Sequence, residues 1–106
     1  MRLEFVEWEV FTKRITQLLH DDEYSDMQAF LLEHPLAGDV IPNGGGLRKL
    51  RWRSAGRGKR GGIRVIYYVW SMRRLYLVYA YDKKEQGDLT GEQLKRLRNH
   101  IMGEVL

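Results

Sequence analysis

The fold is decided by residues 47–81, which read LRKLRWRSAGRGKRGGIRVIYYVWSMRRLYLVYAY. The stretch is rich in β-branched and aromatic residues, which favour strands. It contains ten Lys or Arg residues and no Asp or Glu, and no carboxylate occurs anywhere between Asp39 and Asp82. It therefore predicts a sheet that carries a dense positive charge.

The first strand of this stretch separates charged from apolar side chains. Successive residues of a strand point to opposite faces of the sheet. Lys49, Arg51 and Arg53 share one parity, whereas Leu50 and Trp52 share the other. One face is thus predicted to be cationic and the other apolar.

Two turns divide the rest of the stretch. The glycine-rich segment Gly56–Gly62 predicts a hairpin turn, and Ser71–Arg74 predicts a second one. Strands are predicted at Ile63–Trp70 and Leu75–Tyr81. The cations that the first turn carries into solvent are Arg57, Lys59 and Arg60.

Two neighbouring tyrosines must lie on different faces of the third strand. Arg64 and Tyr68 share a parity, and Tyr67 has the other. At least one of the two tyrosines is therefore predicted to lie in the core.

The residues before the stretch predict a short strand and two helices. The strand is expected at Leu3–Trp8, and a helix follows from Val10. Asp21 or Asp22 is expected to cap a second helix, which Pro35 ends. The expected apolar positions of the two helices are Phe11, Ile15, Leu18, Leu19, Tyr24, Met27, Phe30 and Leu31.

Loops and a last helix complete the chain. Ala37–Gly46, AGDVIPNGGG, lacks the GK[ST] ending of a P-loop and predicts a flexible loop. Asp82–Asp88 is a charged loop, and Thr90 with Gln93 matches a capping box. The apolar stripe of the closing helix is Leu94, Leu97, Ile101 and Val105.

The predicted order is βααβββα, an α+β fold with a small, mostly antiparallel sheet. We expect residues 1–106 to form one domain. The two N-terminal helices should pack on the apolar face, which would leave the cationic face open as a shallow groove.

Composition and charge limit the classes of function that the protein can have. The 106 residues carry a net charge of +4, with −6 in residues 1–39, +10 in residues 40–81 and zero in residues 82–106. Such segregation favours a polyanionic partner over a merely solvated surface, because ordinary surfaces mix both signs. The absence of cysteine excludes disulfides and thiolate zinc sites. With no signal peptide or membrane span in the sequence, we expect a cytoplasmic protein.

Familiar catalytic sites are not predicted. His20, His34 and His100 lie on or beside helices without metal-ligand spacing, so we expect surface or helix-end residues and no metal or cofactor. The basic stretch has no paired carboxylates, and no Ser–His–Asp signature occurs. Arginine and lysine bind phosphate, and tyrosine can stack on unpaired bases.

These residue types suit RNA, which carries its own nucleophile in the 2′-hydroxyl. Arginine can neutralise the charge that develops on the phosphorus centre when this oxygen attacks. Lys49 is a candidate general base, because crowding by like charges favours the neutral amine.

Three motifs connect the chain with a known family. They are GGLRKLRWRS at Gly45–Ser54, GRGKRGGIRVIYY at Gly56–Tyr68 and YDKKEQGDLT at Tyr81–Thr90. On these motifs, and over nearly its whole length, the chain resembles the RelE/ParE toxin superfamily and, within it, the HigB-like branch. The resemblance implies a RelE-like fold and a bacterial type II toxin that cuts messenger RNA at the A site of the translating ribosome. It also implies a cognate antitoxin, a helix-turn-helix protein.

The resemblance also implies roles for single residues. Arg64 resembles the phosphate-stabilising arginine of the family, and Lys49 and Arg51 match acid–base and phosphate positions. Lys84 stands where these toxins place a second catalytic arginine. The implied catalytic residues are therefore Arg64, Lys84, Lys49 and Arg51. The implied RNA-binding residues are Arg53, Arg57, Lys59, Arg60, Tyr68, Tyr81 and Lys83.

One departure from the family leaves an assignment open. RelE-type toxins have a C-terminal tyrosine that stacks on a base of the message, but this sequence has Asp88, Leu89 and Thr90 in that neighbourhood. Tyr81 or Tyr68 is a substitute candidate, and the general base stays open.

Two other functions fit the same residues. A non-enzymatic RNA- or ribosome-binding module would use the same groove. A ParE-like toxin that inhibits DNA gyrase would share the fold. The basic hairpin and the Lys83–Lys84 pair favour RNA chemistry over the gyrase toxin.

Overall fold

The structure is a computed structural model that describes residues 3–54 and 59–105, with side chains described for residues 3–53 and 62–105. Its elements are β1 (Glu4–Glu7), α1 (Glu9–Leu18), α2 (Asp21–Glu33), β2 (Asp39–Val40), β3 (Arg48–Ser54), β4 (Lys59–Ser71), β5 (Arg74–Asp82) and α3 (Gly91–Val105). The predicted order is confirmed, with the two-residue strand β2 added inside the segment predicted as a loop.

The five strands form one sheet in the order β1-β5-β4-β3-β2. β1 runs parallel to β5, and the other neighbours are antiparallel. The predicted α+β class with a mostly antiparallel sheet is confirmed. β4 occupies the centre, so both of its edges are hydrogen-bonded to other strands.

One face of the sheet packs on α1 and α2, as predicted. Alternate strand residues such as Leu50, Val65 and Leu77 meet the apolar stripes of both helices there. The helix residues of this cluster are Phe11, Ile15, Leu18, Met27 and Leu31, with Tyr24 and Phe30 half-buried beside them. Burial of this apolar area is the main stabilisation of the α layer on the sheet.

The opposite face is only partly open, which corrects the expectation of an uncovered groove. Ile101 of α3 is buried there against Ile66, Val78 and Leu47, with Leu94, Leu97 and Val105 half-buried beside them. Both hydrogen bonds of the predicted capping box form, because Gln93 Oε1 accepts from the Thr90 amide at 2.9 Å and Thr90 Oγ1 accepts from the Gln93 amide at 3.0 Å. The apolar stripe of α3 is thus the second cover of the sheet.

The first hairpin differs from its prediction. β4 begins at Lys59, and its backbone pairs with Ser54 of β3. Gly62 also lies in β4, where its carbonyl accepts from the Lys83 amide at 2.7 Å. Residues 59–62 therefore belong to β4 and not to the turn, because their backbone pairs with β3 at Lys59 and is hydrogen-bonded to Lys83 at Gly62.

The N-terminus of α2 also differs. His20, not Asp21 or Asp22, is the residue before the helix, and its amide donates to Glu23 Oε1 at 3.1 Å. Asp21 and Asp22 instead lie in the first turn, where carboxylates stabilise a helix by complementing its dipole. Pro35 follows the end of α2 at Glu33, as predicted.

The glycine-rich loop adopts left-handed backbone angles at three positions. Asn43 has a φ of 62°, and Gly45 and Gly46 have φ values of 65° and 104°. Arg98 of α3 donates to the Asn43 carbonyl at 2.8 Å. A Cβ on Gly46 would lie 2.8 Å from Tyr68 Cε1, so glycine lets the backbone cover the Tyr68 ring.

Tyr67 holds the segment between α2 and β2 in place through its hydroxyl group. Its ring is fully buried on the α1–α2 face, and its hydroxyl donates to the Pro35 carbonyl at 2.8 Å. The same hydroxyl oxygen accepts from the Gly38 amide at 2.8 Å. Tyr67 is thus the core member of the tyrosine pair, and β2 is positioned through it.

We expect Tyr67→Phe to lower the free energy of unfolding by about 1–3 kcal/mol, because it leaves the buried Gly38 amide and Pro35 carbonyl without their partner. Urea denaturation followed by far-UV circular dichroism measures the change. Tyr68→Phe is the matched control, since no hydrogen bond of the Tyr68 hydroxyl is seen within the described residues, and it should lose less than about 0.5 kcal/mol. Equal losses in the two variants would contradict this account.

Candidate functional site

The predicted basic residues meet in one cross-strand row. Arg51 of β3 pairs with Arg64 of β4, and Arg64 pairs with Tyr81 of β5. Directly paired residues point to the same face of a sheet. Arg64, in the central strand, is only 6% exposed, whereas Arg51 at the sheet margin is exposed.

A second row brings Lys49 beside the first. Lys49 lies two residues before Arg51 on β3 and pairs with Ile66 of β4. Side chains two residues apart on a strand lie about 7 Å apart on the same face. Arg53 is exposed at an irregularity in the pairing of β3 with β4. We call the surface formed by Lys49, Arg51, Arg53 and Arg64 the cationic face.

Asp88 is the residue that sequence reasoning missed. It lies in the loop before α3, and its Oδ1 accepts from Lys49 Nζ at 3.1 Å and from the Tyr81 hydroxyl at 3.3 Å. The Leu89 amide donates to the same oxygen at 2.8 Å. Thus a carboxylate 39 residues away in sequence reaches the cationic face. The position of Asp88 just before a capping box was the only local signal, and it does not specify the Lys49 contact.

The hydrogen bonds to Asp88 keep its carboxylate charged. The Leu89 amide is the largest cause that lowers the pKa of Asp88 below its ordinary value of 3.8, and Lys49 and Tyr81 add to it. Burial, together with the Asp88 charge, raises the pKa of Tyr81 to about 12. At neutral pH Asp88 is therefore an acceptor and the Tyr81 hydroxyl a donor.

Tyr81 is not an RNA-stacking residue in this structure, which corrects its prediction. Its side chain is 0% exposed, because the ring packs in the cluster of apolar residues under α3. Tyr68 lies on the same face of the sheet and is half-buried. Of the two tyrosines proposed as substitutes for a stacking residue, only Tyr68 keeps accessible surface.

The turn after β5 presents Lys83 and Lys84. Both side chains are exposed, and within the described residues neither ammonium group has an ion-pair partner. Buried Asp82 holds the turn, since its Oδ1 accepts from the Lys84 amide at 2.9 Å. Glu85 is bound to Arg14 of α1 at 2.8 Å. The two lysines are thus carried by a turn that is fixed to β5 and α1.

The remaining predicted RNA-binding residues lie at the first hairpin. Lys59 and Arg60 are in β4, but their side chains lie outside the described part of the chain, as does the whole of Arg57. The structure therefore brings together Lys49, Arg51 and Arg64, with Arg53 beside them. Lys83 and Lys84 follow the end of β5, whose Asp82 pairs with Ile63, the neighbour of Arg64.

Within residues 3–54 and 59–105, no group of three or more His, Asp or Glu side chains has the geometry of a metal site. His20 and His34 flank α2, and the ring of His100 on α3 lies 4.3 Å from that of Trp8. In the same described part of the chain, no helix is long and apolar enough to cross a membrane. The side chains that meet on and beside the cationic face are those of Arg, Lys, Tyr and Asp.

The geometry suits the binding of phosphate. A guanidinium group donates two parallel hydrogen bonds to phosphate oxygens, and it retains its charge when buried. Arg64 is held in place by the sheet, and exposed Arg51 lies opposite it. Charges fixed before a ligand arrives need little reorganisation when negative charge develops on that ligand.

A comparison with known protein families adds an independent finding. The model of a family described as "RelE toxin of RelE / RelB toxin-antitoxin system" matches residues 36–103. The match spans β2 to β5 and most of α3, including every residue of the cationic face.

We expect Lys49→Met to raise the pKa of the Asp88 carboxyl towards its ordinary value, because it removes one of the cations that stabilise the charged form. The Leu89 amide remains, so the rise should be partial. An NMR pH titration of the side-chain carboxyl carbon measures it. Lys83→Met removes the same charge without a contact to Asp88 and should change this pKa much less.

An unchanged Asp88 pKa in Lys49→Met would contradict the ion pair.

The direction of the Asp88 pKa shift also determines how this residue makes the stability of the fold depend on pH. Because the folded-state pKa of Asp88 is lowered, its contribution is present above the ordinary value of 3.8 and is lost as the pH falls through the folded-state pKa.

Proposed function

The chain belongs to the RelE toxin family, whose members are the toxins of RelE / RelB toxin-antitoxin systems, and on that premise we propose that it cleaves messenger RNA on the ribosome. The observation that carries the proposal is the direct pairing of buried Arg64 with exposed Arg51, beside Lys49. This arrangement places several positive charges on one face of the sheet, where they can approach one phosphate group. We place the protein in the cytoplasm and in the HigB-like branch, with a helix-turn-helix antitoxin as its partner.

In the proposed reaction the 2′-oxygen of one nucleotide attacks the adjacent phosphorus. The new P–O2′ bond forms as the P–O5′ bond breaks, which yields a 2′,3′-cyclic phosphate and a free 5′-hydroxyl. A base accepts the proton of the 2′-hydroxyl, and an acid gives a proton to the leaving 5′-oxygen. Negative charge grows on the non-bridging oxygens, where Arg64 and Arg51 stabilise it.

Asp88 changes the role that we assign to Lys49. The Lys49 ammonium group donates to the Asp88 carboxylate at 3.1 Å, so a role as general base would require this contact to break. We therefore assign Lys49 to charge neutralisation and proton donation instead. Asp88 acts as a positioning residue, because it holds the Lys49 ammonium group on the cationic face.

Lys84 is proposed as a second cation for the same phosphate. It is exposed, and its backbone is fixed by Asp82 at 2.9 Å. Lys83, Arg53, Arg57, Lys59 and Arg60 are proposed to bind the backbone of the message or of ribosomal RNA. Such contacts add affinity without base specificity.

We expect Arg64→Lys to slow message cleavage by about 100- to 1000-fold, because lysine retains the charge but loses the two-pronged contact with phosphate. The measurement is the rate of message cutting in a reconstituted translation reaction, with the cut ends mapped. Arg73→Lys, at an exposed turn position, is the matched control and should cleave at the wild-type rate.

Lys84→Ala should also slow message cleavage, and it should leave most of the affinity for the ribosome.

The same assay separates the competing functions. Wild-type protein that binds ribosomes but leaves the message whole would indicate a non-enzymatic binding module. Trapped DNA breaks with an intact message would indicate a gyrase toxin. Cuts in ribosome-bound message, absent from free RNA, support the proposal.

We expect Arg53→Ala to weaken binding to single-stranded RNA and to reduce its dependence on salt. Each phosphate neutralised on a single strand contributes about 0.7 to the slope of log affinity against log salt concentration. The slope should therefore fall by about 0.7 in Arg53→Ala and stay unchanged in Arg73→Ala. Fluorescence anisotropy of a labelled oligonucleotide over a series of salt concentrations measures it, and an unchanged slope would remove Arg53 from the phosphate contacts.

A further inference from the structure

The edge of β5 that faces away from β4 is only partly covered by β1. β1 pairs with β5 from Arg74 to Leu77, whereas β5 continues to Asp82. A carbonyl group without a strand neighbour needs another hydrogen-bond donor, because an unpaired polar group away from water costs free energy. Arg14 of α1 supplies such a donor, since its Nε donates to the Ala80 carbonyl at 3.1 Å. The last residues of β5 are thus bonded directly to α1.

The same guanidinium group also reaches the turn that follows β5. Its Nη2 donates to Glu85 Oε1 at 2.8 Å, and the Asp82 amide donates to the same oxygen at 3.4 Å. The Arg14 side chain is 26% exposed and that of Glu85 49%, against 74% and 86% for the neighbouring pair of Lys13 and Glu9. Partial burial and a planar donor group give the contact of Arg14 with Glu85 a better defined geometry than a surface ion pair has.

The segment held in this way carries one of the cations of the site. We call residues 83–85 the Lys84 turn. The Lys84 amide donates to Asp82 Oδ1 and the Glu85 amide to the Asp82 carbonyl, both at 2.9 Å. These bonds determine the shape of the turn, whereas the contact with Arg14 determines where the turn lies relative to α1. The Lys84 side chain is exposed, so its direction depends on the backbone that carries it.

We propose that Arg14 is a positioning residue for message cleavage and that it acts through Glu85, which holds the Lys84 turn where Lys84 can meet the phosphate. This role rests on the proposed nuclease function, in which Lys84 is the second cation. Arg14 itself belongs to α1, which packs on the face of the sheet opposite to the Arg64 row. Its guanidinium group is bonded to Ala80 and Glu85, so its effect on the phosphate is indirect.

Glu85 separates an effect of placement from an effect of charge. Its carboxylate adjoins Lys84 in sequence, and as a negative charge alone it repels an approaching phosphate. On charge alone, Glu85→Ala would speed cleavage or leave it unchanged. We expect Glu85→Ala to slow cleavage instead, because it releases the Lys84 turn from Arg14. Faster cleavage in Glu85→Ala would rule out the proposed role.

The test measures single-turnover cleavage of ribosome-bound message by each purified variant. We expect Arg14→Met to slow the cleavage step by about 10-fold, because a small misplacement of a group that contacts the reacting phosphate lowers the rate. Affinity for the ribosome should stay within about 2-fold of the wild type, since the other cations are unchanged. Arg14→Lys keeps the charge that Glu85 binds and should recover part of the rate.

The control is Lys13→Met, which removes a cation from the neighbouring position of α1. Lys13 is bound to Glu9 of the same helix at 3.4 Å and has no contact with the Lys84 turn within the described residues. It should therefore cleave at the wild-type rate. A wild-type rate in Arg14→Met, or an equal loss in Lys13→Met, would contradict the proposal.

A pair of double substitutions shows whether Arg14 acts through the residues named. Arg14→Met should cost little further rate in a Lys84→Ala background, since the cation that it positions is already absent. It should also cost little in a Glu85→Ala background, because the contact is broken in either case. If Arg14→Met slows Lys84→Ala as much as it slows the wild type, Arg14 does not act through Lys84 and the proposal is wrong.

Amide hydrogen exchange measured by NMR gives a readout that does not depend on cleavage. Arg14→Met should speed exchange at the Lys84 and Glu85 amides and leave the amide of Ile66, in the central strand, unchanged. Faster exchange at Ile66 as well, with a lowered thermal midpoint, would indicate a general loss of stability and would overturn the positioning role.

Exchange also separates the failure of this role from the failure of the proposed function. If the wild-type protein cuts no message but Arg14→Met speeds exchange at Lys84 alone, the nuclease function fails and the hold of Arg14 on the Lys84 turn stands. Unchanged exchange at Lys84 in Arg14→Met overturns that hold, whether or not the wild type cleaves.

Discussion

The site depends on the burial of a charged side chain in the central strand. β4 is paired on both edges, and Arg64 in its middle is 6% exposed. Burial of an ionised group is costly unless charged or polar groups offset the loss of hydration. The surrounding structure supplies such groups, since the positive charge of Arg64 acts on the Tyr81 hydroxyl, which is bound to Asp88. Strand pairing on both edges of β4 also holds the Arg64 backbone in place before any phosphate arrives.

The alternation of strand residues made much of this arrangement predictable. Because parity is local, the sequence around Lys49 and Leu50 is enough to separate a cationic from an apolar face. Parity also places Tyr67 opposite to Arg64, and the structure confirms this separation. The capping box at Thr90 and the helix end before Pro35 were predictable for the same reason, since each depends on residues close in sequence.

Features that depend on distant residues were not predictable in this way. The contact between Lys49 and Asp88 joins β3 to the loop before α3, and nothing local to either residue specifies it. The packing of Ile101 on the sheet covers part of a face that its charges suggest is open, and it buries Tyr81. Net charge describes a segment as a whole, whereas burial is decided residue by residue through tertiary packing. The prediction was therefore right about which face carries the charge and wrong about how much of that face is accessible.

The segregation of charge along the chain becomes a segregation in space. The acidic N-terminal segment includes α1 and α2, which lie on one face of the sheet, and the cationic residues of β3 and β4 lie on the other. A polyanion is repelled by the first side and attracted by the second, so the field of the whole protein orients its approach before any contact forms. The helical side is correspondingly less suited to RNA. One small sheet can in this way present two surfaces of different chemistry, because α1 and α2 on one face prevent the same ligand from binding to both.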